Sequence, residues 1–575
     1  MRNAGKMSVA TSPMINQLRH MAFAIAVLLL LLPVISLEDG AEACEPRHVH
    51  LSLGRDQNAT HVSMTVSFGV LPGCTRSLSN GHDRDMIFGA VQHSYDSREW
   101  TDVAFVAAED VQYYNASLTE HQKKKTGLST YHSDLYFHAE LSGLRPSTKV
   151  FYRCVLVVLG DEPAADVTHA SYLRASEPLS TLQFESQIKA KSERYFFLSP
   201  PSVGQWYDPP LDRSIRFAVI GDLATRPHSR KTISHFDQDR RETNSRGRYR
   251  HYGRGVDLLL LAGDLSYANG DQVIWDDWFD MMSEFSFFRE IPTSIALGNH
   301  DCDHGMFGQV ASDNSSLEIA TAYEKRFRMP QAKAAQRDLA PNELFNLGQS
   351  GEYFQAKDFL PYEFGNAYYS YVFGPSKHIV ISSYSSFLPG SIQYEWLVRE
   401  LEDTDRSVTP WLIVMLHCPP YTTFKIHHNE VFISEARRHL EPLFVRHTVN
   451  FVLSGHLHSY MRTAPTIDSR PSPRGPVYII QGNGGRQANE PYLAEEPEEF
   501  VSVRDHSMYG YGTLDLLNNT HAKWTWVITG WNTPDDSGLK GIYEPDFDIH
   551  DEVYLRNQLY VESATDNVNA DEGTS

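Results

Sequence analysis

Side chains of the types that bind metal ions occur in five short motifs, each at the end of an apolar run. The motifs read GDLA, GDLSY, GNHD, MLH and GHLH. Taken alone, each has an ordinary explanation, because Gly-Asp is a common turn and a lone histidine is usually a hydrogen-bonded structural residue. Together they predict one shared metal site, whose ligand-type residues are Asp222, Asp264, Tyr267, Asn299, His417, His456 and His458.

This mixture of ligand types suits two different cations. A metal pair about 3.5–4 Å apart can hold both the attacking and the leaving oxygen of a phosphoryl group. Asp264 is the natural bridging carboxylate, because its predicted strand end lies between the others. A tyrosine side chain has a pKa of about 10, so only a strongly acidic cation such as Fe(III) would hold Tyr267 ionised. The imidazole and amide ligands suit a divalent partner.

The elements that must position these motifs alternate between strand-like and helix-like segments. From residue 215 onward, short apolar runs rich in β-branched residues are separated by helix-like stretches such as 393–403 and 434–445. This layout is typical of an α/β fold, in which ligands collect beyond the carboxyl ends of the strands. His456 and His458 are two residues apart, so both rings lie on one face of an extended segment.

The N-terminal part of the chain has a different pattern. Segments such as HVHLSL and VSMTVSF alternate apolar and polar residues, which predicts half-buried strands and a small all-β sandwich over 45–185. Residues 186–214 are predicted to form a linker, and residues 562–575 a disordered polar tail. The basic segment 225–255 is predicted to be a solvated loop, with a binding element as the alternative.

The ordered motifs resemble the five motif blocks of the purple acid phosphatases, within the metallophosphoesterase superfamily. PRHVHLSL and ELSGLRPSTKVFYR are similar to the N-terminal fibronectin-like domain of the plant-type members, and YGYGTLDLLNNTHAKWTW is similar to their C-terminal closing segment. The resemblance implies an α/β fold with a calcineurin-like metallophosphoesterase β-sandwich flanked by helices over 215–490. It also implies a closing segment over 500–545 and a preceding fibronectin III-like domain over 45–185.

The same resemblance divides the ligands between two ions. One group is expected to bind Fe(III), and its members are Asp222, Asp264, Tyr267 and His458. The other group is expected to bind a divalent ion, which in this family is iron, zinc or manganese, and its members are Asp264, Asn299, His417 and His456. Asp264 belongs to both groups, in agreement with its expected position between them.

Three further histidines are implied to face the substrate, namely His300, His427 and His428. The last two follow His417 at a spacing one residue longer than is usual in the family. The resemblance therefore leaves open which of the three donates a proton to the leaving group.

Two motif positions depart from the pattern of the family. Ala224 stands where the family usually has glycine, and an alanine there is strained if the backbone needs a positive φ. Asp301 stands where the family usually has glutamate, and because both are acidic little follows from that difference.

The implied activity is the hydrolysis of phosphate monoesters by attack of hydroxide held by the metal pair, with an acidic optimum if the proton donor is an imidazolium. The alternative within enzymes is phosphodiester or nucleotide pyrophosphate hydrolysis on the same ions. A cytosolic Ser/Thr protein phosphatase shares the scaffold but is disfavoured by Tyr267 and by the N-terminal signal. A non-catalytic secreted binding protein would be expected to lack ligands, and all seven are present.

The N-terminus predicts entry into the secretory pathway. Basic residues, the short apolar block Met21–Ile35 and the sequence AEA predict a signal peptide over 1–43, cleaved before Cys44. A membrane anchor is the alternative, but the block is shorter than the about 20 apolar residues that a spanning helix needs, and Pro33 interrupts it. Glycosylation sequons at Asn58, Asn115, Asn314 and Asn518 agree with a glycoprotein that is secreted or lies in an endomembrane or vacuolar-lysosomal lumen.

The net charge limits the classes of binding partner, and the cysteine pattern limits the disulfides that the chain can form. The formal net charge of -21 argues against nucleic acid and anionic membranes, so the metal ions must attract the expected small phosphorylated substrates. The five cysteines show neither zinc-site spacing nor a disulfide framework, and at least one should be free or pair between chains. Cys302 and Cys418 each follow a ligand of the divalent ion, and we expect them to lie near each other, where a disulfide can join them.

Overall fold

The computed structural model describes most of the chain between residues 44 and 561. The described residues are 44–72, 74, 86–106, 110–118, 123–124, 127–159, 181–207, 214–239, 255–303, 320–330, 359–360, 362–487, 490–531 and 548–561. The predicted signal peptide, the sequon at Asn314 and the predicted polar tail lie outside the described residues.

The N-terminal region is built mostly of β-strands. In chain order they are β1 (Arg47–Leu53), β2 (Val62–Val70), β3 (Met86–Ser94), β4 (Asp102–Phe105), β5 (Val111–Gln112), β6 (Asn115–Ser117), β7 (Thr130–His132), β8 (Leu135–Leu144), β9 (Lys149–Leu159), β10 (Ile188–Lys191) and β11 (Tyr195–Leu198). One sheet has the order β1-β2-β8-β5, and the other has the order β10-β9-β3-β4 with β11 also paired to β9. The predicted all-β character of this region is confirmed.

Strand β1 is buried more completely than its alternating sequence predicts. Six of its seven residues are buried, and they include His48, His50 and Ser52. These polar side chains face the C-terminal region: the His50 ring stacks on Phe288 with the ring centroids 5.3 Å apart, and Ser52 Oγ donates to the Arg328 carbonyl oxygen. The polar positions are therefore buried because a second domain covers them.

Part of the predicted linker 186–214 belongs to the N-terminal sheets. Strands β10 and β11 lie within it and pair antiparallel with β9. This pairing satisfies the backbone N–H and C=O groups along one edge of β9, which would otherwise be open. The prediction of a linker is therefore wrong for residues 188–198, whereas residues 199–207 contain neither helix nor strand.

The region from residue 215 holds the remaining strands. They are β12 (Ile215–Ile220), β13 (Leu258–Leu261), β14 (Thr293–Ile295), β15 (Tyr369–Phe373), β16 (Ser376–Val380), β17 (Trp411–Met415), β18 (Phe451–Ser454), β19 (Tyr460–Thr463), β20 (Thr466–Ile467), β21 (Arg470–Pro471), β22 (Val477–Gln481), β23 (Val501–Asp505), β24 (Met508–Leu516), β25 (His521–Trp531) and β26 (Asp548–Arg556).

Apart from the separate pair β20-β21, these strands form two large sheets, each of which contains a block of parallel strands. One has the order β14-β13-β12-β24-β25-β26, and the other has the order β15-β16-β17-β18-β22-β19-β23. Strands β12 to β14 are mutually parallel, as are β16, β17, β18 and β22. Their apolar runs are buried throughout, as is typical of parallel strands covered on both faces. The closing strands reach Arg556, beyond the predicted boundary at residue 545.

The α-helices of the described residues are α1 (Thr181–Gln187), α2 (Pro227–Asp239), α3 (Gln272–Ser283), α4 (Thr321–Arg326), α5 (Ile392–Glu402), α6 (Val431–His439) and α7 (Glu441–Arg446), with 3-10 turns at Ser286–Arg289, Asn299–Asp301 and Gln558–Tyr560. Helix α5 agrees with the helix-like stretch 393–403. The stretch 434–445 is split between α6 and α7, because Pro442 has no N–H to continue the hydrogen-bond ladder.

The segment 225–255 is not a solvated loop in its first half. Helix α2 occupies residues 227–239 and buries Ile233 and Phe236. The Phe236 ring meets Tyr511 of β24 edge-on, with the centroids 5.6 Å apart. Apolar residues three positions apart gave this amphipathic helix a buried face, despite its basic and polar composition. The second half, 240–254, lies outside the described residues.

The cysteines correct one prediction. Cys44 and Cys74 form a disulfide, whereas Cys154, Cys302 and Cys418 are buried free thiols. The expected disulfide between Cys302 and Cys418 is wrong, since each thiol has a different neighbour. Cys302 Sγ lies 3.8 Å from the Gly298 carbonyl oxygen, and Cys418 Sγ lies 3.4 Å from the Tyr384 hydroxyl.

A buried polar cluster joins the N-terminal sheets to α3 and α4. We call it the Arg326 cluster, and its members are Arg326, Tyr114, Tyr131, Tyr136 and Asp276. The guanidinium group donates to all three tyrosine hydroxyls and to Asp276, at 2.6 Å from the Tyr131 oxygen and 2.8 Å from Asp276 Oδ1. The Tyr131 hydroxyl in turn donates to Asp276. Each polar group thus has a partner inside the protein.

The predicted ligand motifs all follow parallel strands of the two large sheets. Asp222 comes after β12, Asp264 after β13 and Asn299 after β14 in one sheet. His417 comes after β17 and His456 after β18 in the other. The candidate ligand residues therefore all lie at the carboxyl ends of parallel strands, where ligand sites are expected in α/β folds.

Candidate metal centre

The loops that carry the ligands turn back sharply at the strand ends. Asp222, Asp264, Tyr267 and His456 have positive φ values of 56°, 53°, 59° and 71°. Non-glycine residues rarely adopt this conformation, and clusters of such residues mark functional sites. At Gly298, a Cβ atom would lie 2.1 Å from the Asp264 backbone nitrogen, so only glycine lets these two loops approach this closely.

The first group of ligand atoms meets at the Tyr267 hydroxyl. This hydroxyl donates to Asp222 Oδ1 at 2.9 Å and lies 2.7 Å from His458 Nε2. His458 Nδ1 faces the Gln487 carbonyl oxygen at 3.1 Å, so Nδ1 carries the proton and Nε2 has a free lone pair. A phenol oxygen, a carboxylate oxygen and an imidazole nitrogen therefore converge on one point.

The second group places two acceptor atoms face to face. The Asn299 amide oxygen accepts from the Tyr384 hydroxyl at 3.0 Å and lies 3.2 Å from His456 Nδ1. His456 Nε2 donates to Glu430 Oε2 at 2.8 Å, so Nδ1 carries a lone pair. Two lone pairs at this separation repel each other unless a cation lies beside both, and the residues present therefore fit a metal ion.

His417 offers a further ring nitrogen to a metal ion. Its Nδ1–H donates to the Ala262 carbonyl oxygen at 2.7 Å. Its Nε2 is buried and makes no hydrogen bond among the described residues, although it lies 3.4 Å from Asp264 Oδ1. Burial lowers the pKa of His417, but the nearby carboxylates of Asp264 and Asp222 outweigh burial and raise it to about 10. A metal ion that binds Nε2 would displace this proton and take over the same attraction to the carboxylates.

Asp264 lies between the two groups of candidate ligands. Its Oδ1 accepts the His300 backbone N–H at 2.9 Å, and ligand atoms of Asp222, Asp264 and His417 all lie within 4.8 Å of one another. Two buried carboxylates this close repel each other in the absence of a cation. The site is therefore prepared for positive charge.

Burial and nearby charges shift the pKa values of the candidate ligand side chains. Burial raises the pKa of Asp222 well above its usual range, and the charge of Asp264 adds to the effect, although His417 opposes it. Burial and the same two carboxylates raise the pKa of the Tyr267 phenol. Burial lowers the pKa of His456 to about 4 and that of His458 to about 3, so both rings are neutral and able to bind a metal ion.

The predicted substrate-facing histidines do not all reach the site. The His300 ring stacks on Tyr267 with the centroids 4.4 Å apart, and the His427 ring lies 4.2 Å from the ring of His456. His428 instead directs Nδ1 to the Lys425 carbonyl oxygen at 2.7 Å and has no described contact with the ligand residues. The structure thus brings His300 and His427 to the ligands but not His428.

Several residues around the ligands were missed from the sequence. Glu430 receives hydrogen bonds from both His456 and His427, the latter at 2.5 Å. Burial opposes ionisation of Glu430, but these two hydrogen bonds outweigh it and lower its pKa to about 2. Tyr384 and Glu490 similarly orient Asn299 and the backbone of His458. Of these three residues, only Glu430 carries a signal in the sequence, because it lies two positions after the histidine pair in HHNE.

The structure shows the backbone conformation of one position that departs from the family pattern, Ala224, and the hydrogen bonds of the other, Asp301. Ala224 has a φ of 59° and is buried, so this backbone does need the conformation that favours glycine. Strain of this kind costs about 1–2 kcal/mol per residue. Asp301 accepts the backbone N–H groups of Leu265 and Gly298 at 2.8 and 3.0 Å, and it therefore ties the second motif to the third.

Comparison with known proteins identifies the family. Residues 215–460 match the family model described as calcineurin-like phosphoesterase, and residues 475–537 match the one described as iron/zinc purple acid phosphatase-like protein C. Probable purple acid phosphatase 20 of Arabidopsis thaliana is 30% identical over 342 residues, which are 59% of this chain and 68% of that protein. The chain belongs to the purple acid phosphatases. The predicted family and fold class are thereby confirmed.

Other matches agree with this assignment. Purple acid phosphatase 21 of Arabidopsis thaliana is 27% identical over 419 residues, which are 72% of this chain and 74% of that protein. The solved structure of a purple acid phosphatase from yellow lupin (Lupinus luteus) seeds superposes with a TM-score of 0.60 at 17% identity, over 90% of this chain and 76% of that one. At that identity the superposition supports the fold alone.

Membership of the purple acid phosphatases makes this chain an acid phosphatase, a hydrolase with a binuclear metal centre that acts on small phosphorylated molecules. The described residues contain no helix that is long and apolar enough to cross a membrane.

Proposed function

We propose that this purple acid phosphatase hydrolyses phosphate monoesters at a centre of Fe(III) and a divalent ion. The observation that carries the proposal is the convergence of the Tyr267 hydroxyl, Asp222 Oδ1 and His458 Nε2. A phenol oxygen among ligand atoms suits a strongly acidic trivalent cation better than a divalent one. Hydrolysis of phosphodiesters or nucleotide pyrophosphates at the same centre is the alternative.

The ligands divide between two ions as the family resemblance implies. Fe(III) would be held by Asp222, Asp264, Tyr267 and His458, and a divalent iron, zinc or manganese ion by Asp264, Asn299, His417 and His456. When bound, such an ion pair supplies positive charge to the phosphate oxygens and lowers the pKa of water at the centre. Glu430 and Tyr384 hold the second group of ligands in orientation.

Proton transfer to the leaving group is assigned to His300, with His427 as the second candidate. His300 Nδ1 is 2.6 Å from Asn269 Oδ1, so it donates there and leaves Nε2 to face the substrate. About a third of the side chain is exposed, with a relative area of 32%, which gives a substrate access to the ring. His428 is left out of the assignment because it contacts the Lys425 carbonyl oxygen instead.

A secreted or vacuolar-lysosomal location is part of the proposal. It is supported by the N-terminal signal sequence and by the disulfide between Cys44 and Cys74, because disulfides persist in oxidising compartments. The sequon residues Asn115 and Asn518 are exposed, as glycosylation requires. Fe(III) would also be stable in such a compartment.

The test combines metal analysis with a substrate panel. Purified protein should contain iron and a second metal in equal amounts and should prefer monoesters over diesters and pyrophosphates at acidic pH. A kcat/KM that is about 10-fold or more higher for a diester or a pyrophosphate than for a monoester would instead establish the alternative. A protein that binds two metals but cleaves none of these compounds would contradict both.

Histidine variants separate proton donation from phosphate binding. His300→Gln should lower turnover of alkyl phosphates about 10²-fold, and that of aryl phosphates much less, because aryl leaving groups depart without a proton. His428→Gln is the matched control and should leave both rates unchanged. Equal losses on alkyl and aryl substrates would show that His300 only holds the phosphate.

A further inference from the structure

One cation borders the metal centre without belonging to the ligand set. Arg486 follows strand β22 in the sequence GNGGR, and its Cζ atom lies 4.9 Å from the centroid of the Tyr267 ring. The side chain is partly exposed. Among the described residues, its guanidinium group makes neither a hydrogen bond nor an ion pair. Its five N–H groups are therefore available to a ligand.

The loop that carries Arg486 is fixed against the first and last ligand motifs. The Arg486 N–H donates to the Asp222 carbonyl oxygen at 2.9 Å. A Cβ atom at Gly482 would lie 2.0 Å from the Leu457 carbonyl oxygen, and one at Gly485 would lie 2.5 Å from the Leu223 carbonyl oxygen. These glycines let the loop pack directly on both motifs, which holds the base of Arg486 at the rim of the centre.

The charge of Arg486 acts on the predicted site. Its guanidinium carbon lies 4.9 Å from the ring centroid of Tyr267, one of the proposed ligand residues. The nearby described residues are otherwise rich in carboxylates, and the whole chain carries a net charge of -21. An anionic substrate that approaches this site therefore gains from a cation at its rim.

We propose that Arg486 binds a phosphate oxygen of the substrate, on the Tyr267 side of the centre. The planar guanidinium fork matches two oxygens of a phosphate, which a lysine or an amide cannot reproduce. The oxygens can come from the phosphoryl group that is transferred or from the next phosphate of a diphosphate substrate. The inference rests on the proposed phosphatase function and adds a substrate-binding residue to it.

A purely structural role for Arg486 makes different predictions. A guanidinium group over a tyrosine ring contributes a cation–π interaction, which affects Tyr267 rather than the substrate. Arg437 provides a matched control, because it is exposed and its Cζ atom lies 5.5 Å from the centroid of the Tyr421 ring, outside the ligand set. Arg437→Gln should leave phosphate binding and catalysis unchanged.

The test compares metal-loaded wild type with Arg486→Gln and Arg486→Lys. Binding of inorganic phosphate, measured by calorimetry, should weaken about 10- to 100-fold in Arg486→Gln, the range expected for lost hydrogen bonds to a charged group. Arg486→Lys should recover part of the loss. Metal content and the visible spectrum should stay unchanged in both variants.

Two substrates identify which phosphate is bound. If the KM of Arg486→Gln rises equally for phenyl phosphate and ADP, Arg486 holds the transferred phosphoryl group. If the KM rises for ADP alone, Arg486 holds the next phosphate. In that case the weakened binding is measured by calorimetry with pyrophosphate instead of phosphate. Unchanged affinities for phosphate, pyrophosphate and both substrates would overturn the proposal, as would loss of iron in Arg486→Gln. Because calorimetry needs no turnover, it tests Arg486 even if wild type hydrolyses none of the esters and the proposed function fails.

Discussion

The metal centre and the Arg326 cluster both bury polar side chains, but they satisfy them differently. In the Arg326 cluster donors meet acceptors: the guanidinium group donates to three hydroxyls and to Asp276, and the Tyr131 hydroxyl donates onward. In the centre acceptors meet acceptors, as His456 Nδ1 and Asn299 Oδ1 do at 3.2 Å. The first arrangement is complete in itself, whereas the second is complete only with a cation.

The backbones of the two regions differ in the same way. The Arg326 cluster is carried by regular helices and strands, chiefly α3, α4 and β8. The ligands of the centre lie on tight loops, four of them at positive φ. Strained backbone and unmatched acceptors lower stability and persist where function requires them. The comparison teaches that hydrogen-bond complementarity, rather than burial or charge, separates a structural polar cluster from a functional one.

Removal of the Asp264 carboxylate, the proposed bridge between the ions, should have the largest effect. It should lower metal affinity and activity but leave the stability of the fold almost unchanged. Asp264→Asn should reduce metal affinity and activity by more than about 100-fold, since loss of a residue that merely orients a ligand already costs 10- to 100-fold. The metal-free variant should unfold within about 1 kcal/mol of wild type, because the amide oxygen can still accept the His300 N–H. Metal analysis and urea unfolding measure the two effects; a large loss of stability would contradict the comparison.

Removal of the central cation of the Arg326 cluster should have the opposite outcome. Arg326→Met should lower the free energy of unfolding by about 3–5 kcal/mol, because it removes a fully buried cation and leaves three buried hydroxyls and the partly buried Asp276 carboxylate without their donor. Metal content per folded molecule should not change. Arg328→Met is the matched control: its ion pair with Asp110 is partly exposed, so its loss should cost about 0–1 kcal/mol. Equal losses in the two variants would refute the special role of the cluster.

A buried histidine next to this cluster should make stability depend on pH. Burial, aided by the charge of His48, lowers the pKa of His50 to about 4 from the ordinary 6.5. The unfolded chain therefore binds a proton that the folded chain does not, and stability should fall as the pH decreases from 6.5 to 4. His138, whose pKa burial also lowers, adds to the same slope.

The matching variant is His50→Gln, which keeps an N–H donor for the His48 carbonyl oxygen. It should remove about 2–3 kcal/mol of the decrease in stability between pH 6.5 and pH 4, at about 1.4 kcal/mol per pKa unit. Urea unfolding at several pH values measures this slope. The exposed His521 serves as a control, and His521→Gln should leave the slope unchanged. An unaltered slope in His50→Gln would mean that His50 already charges in the folded state.

The candidate ligand residues could be selected from the sequence because they follow apolar runs in short, ordered motifs. The resemblance to the family then supplied the grouping, and the structure brings Asp222, Tyr267 and His458 together accordingly. What the sequence could not supply depends on distant contacts. Glu430 and Tyr384 act on ligands far away in the chain, and the pairing of β10 and β11 with β9 depends on an edge that no local pattern reveals.

Two wrong predictions have the same origin. Helix α2 was not predicted, because it lies in a basic segment and has only two buried apolar residues among many polar ones. These two residues form a buried face only because the helix packs against β24 and β25. The expected disulfide failed because Cys302 and Cys418 are near ligands in sequence, but their thiols are held by different neighbours. Closeness to a shared site in sequence does not determine the direction of a side chain.

The visible absorption spectrum of Tyr267→Phe tests the central claim most directly. The iron-containing wild type should show a charge-transfer band from the Tyr267 phenolate to Fe(III). Tyr267→Phe removes only the phenol oxygen, and its ring can still stack on His300, so the variant should fold and retain iron while the band disappears or shifts strongly. An unchanged band in a variant that still contains iron, or an iron-loaded wild type without any band, would contradict the proposed Fe(III) site.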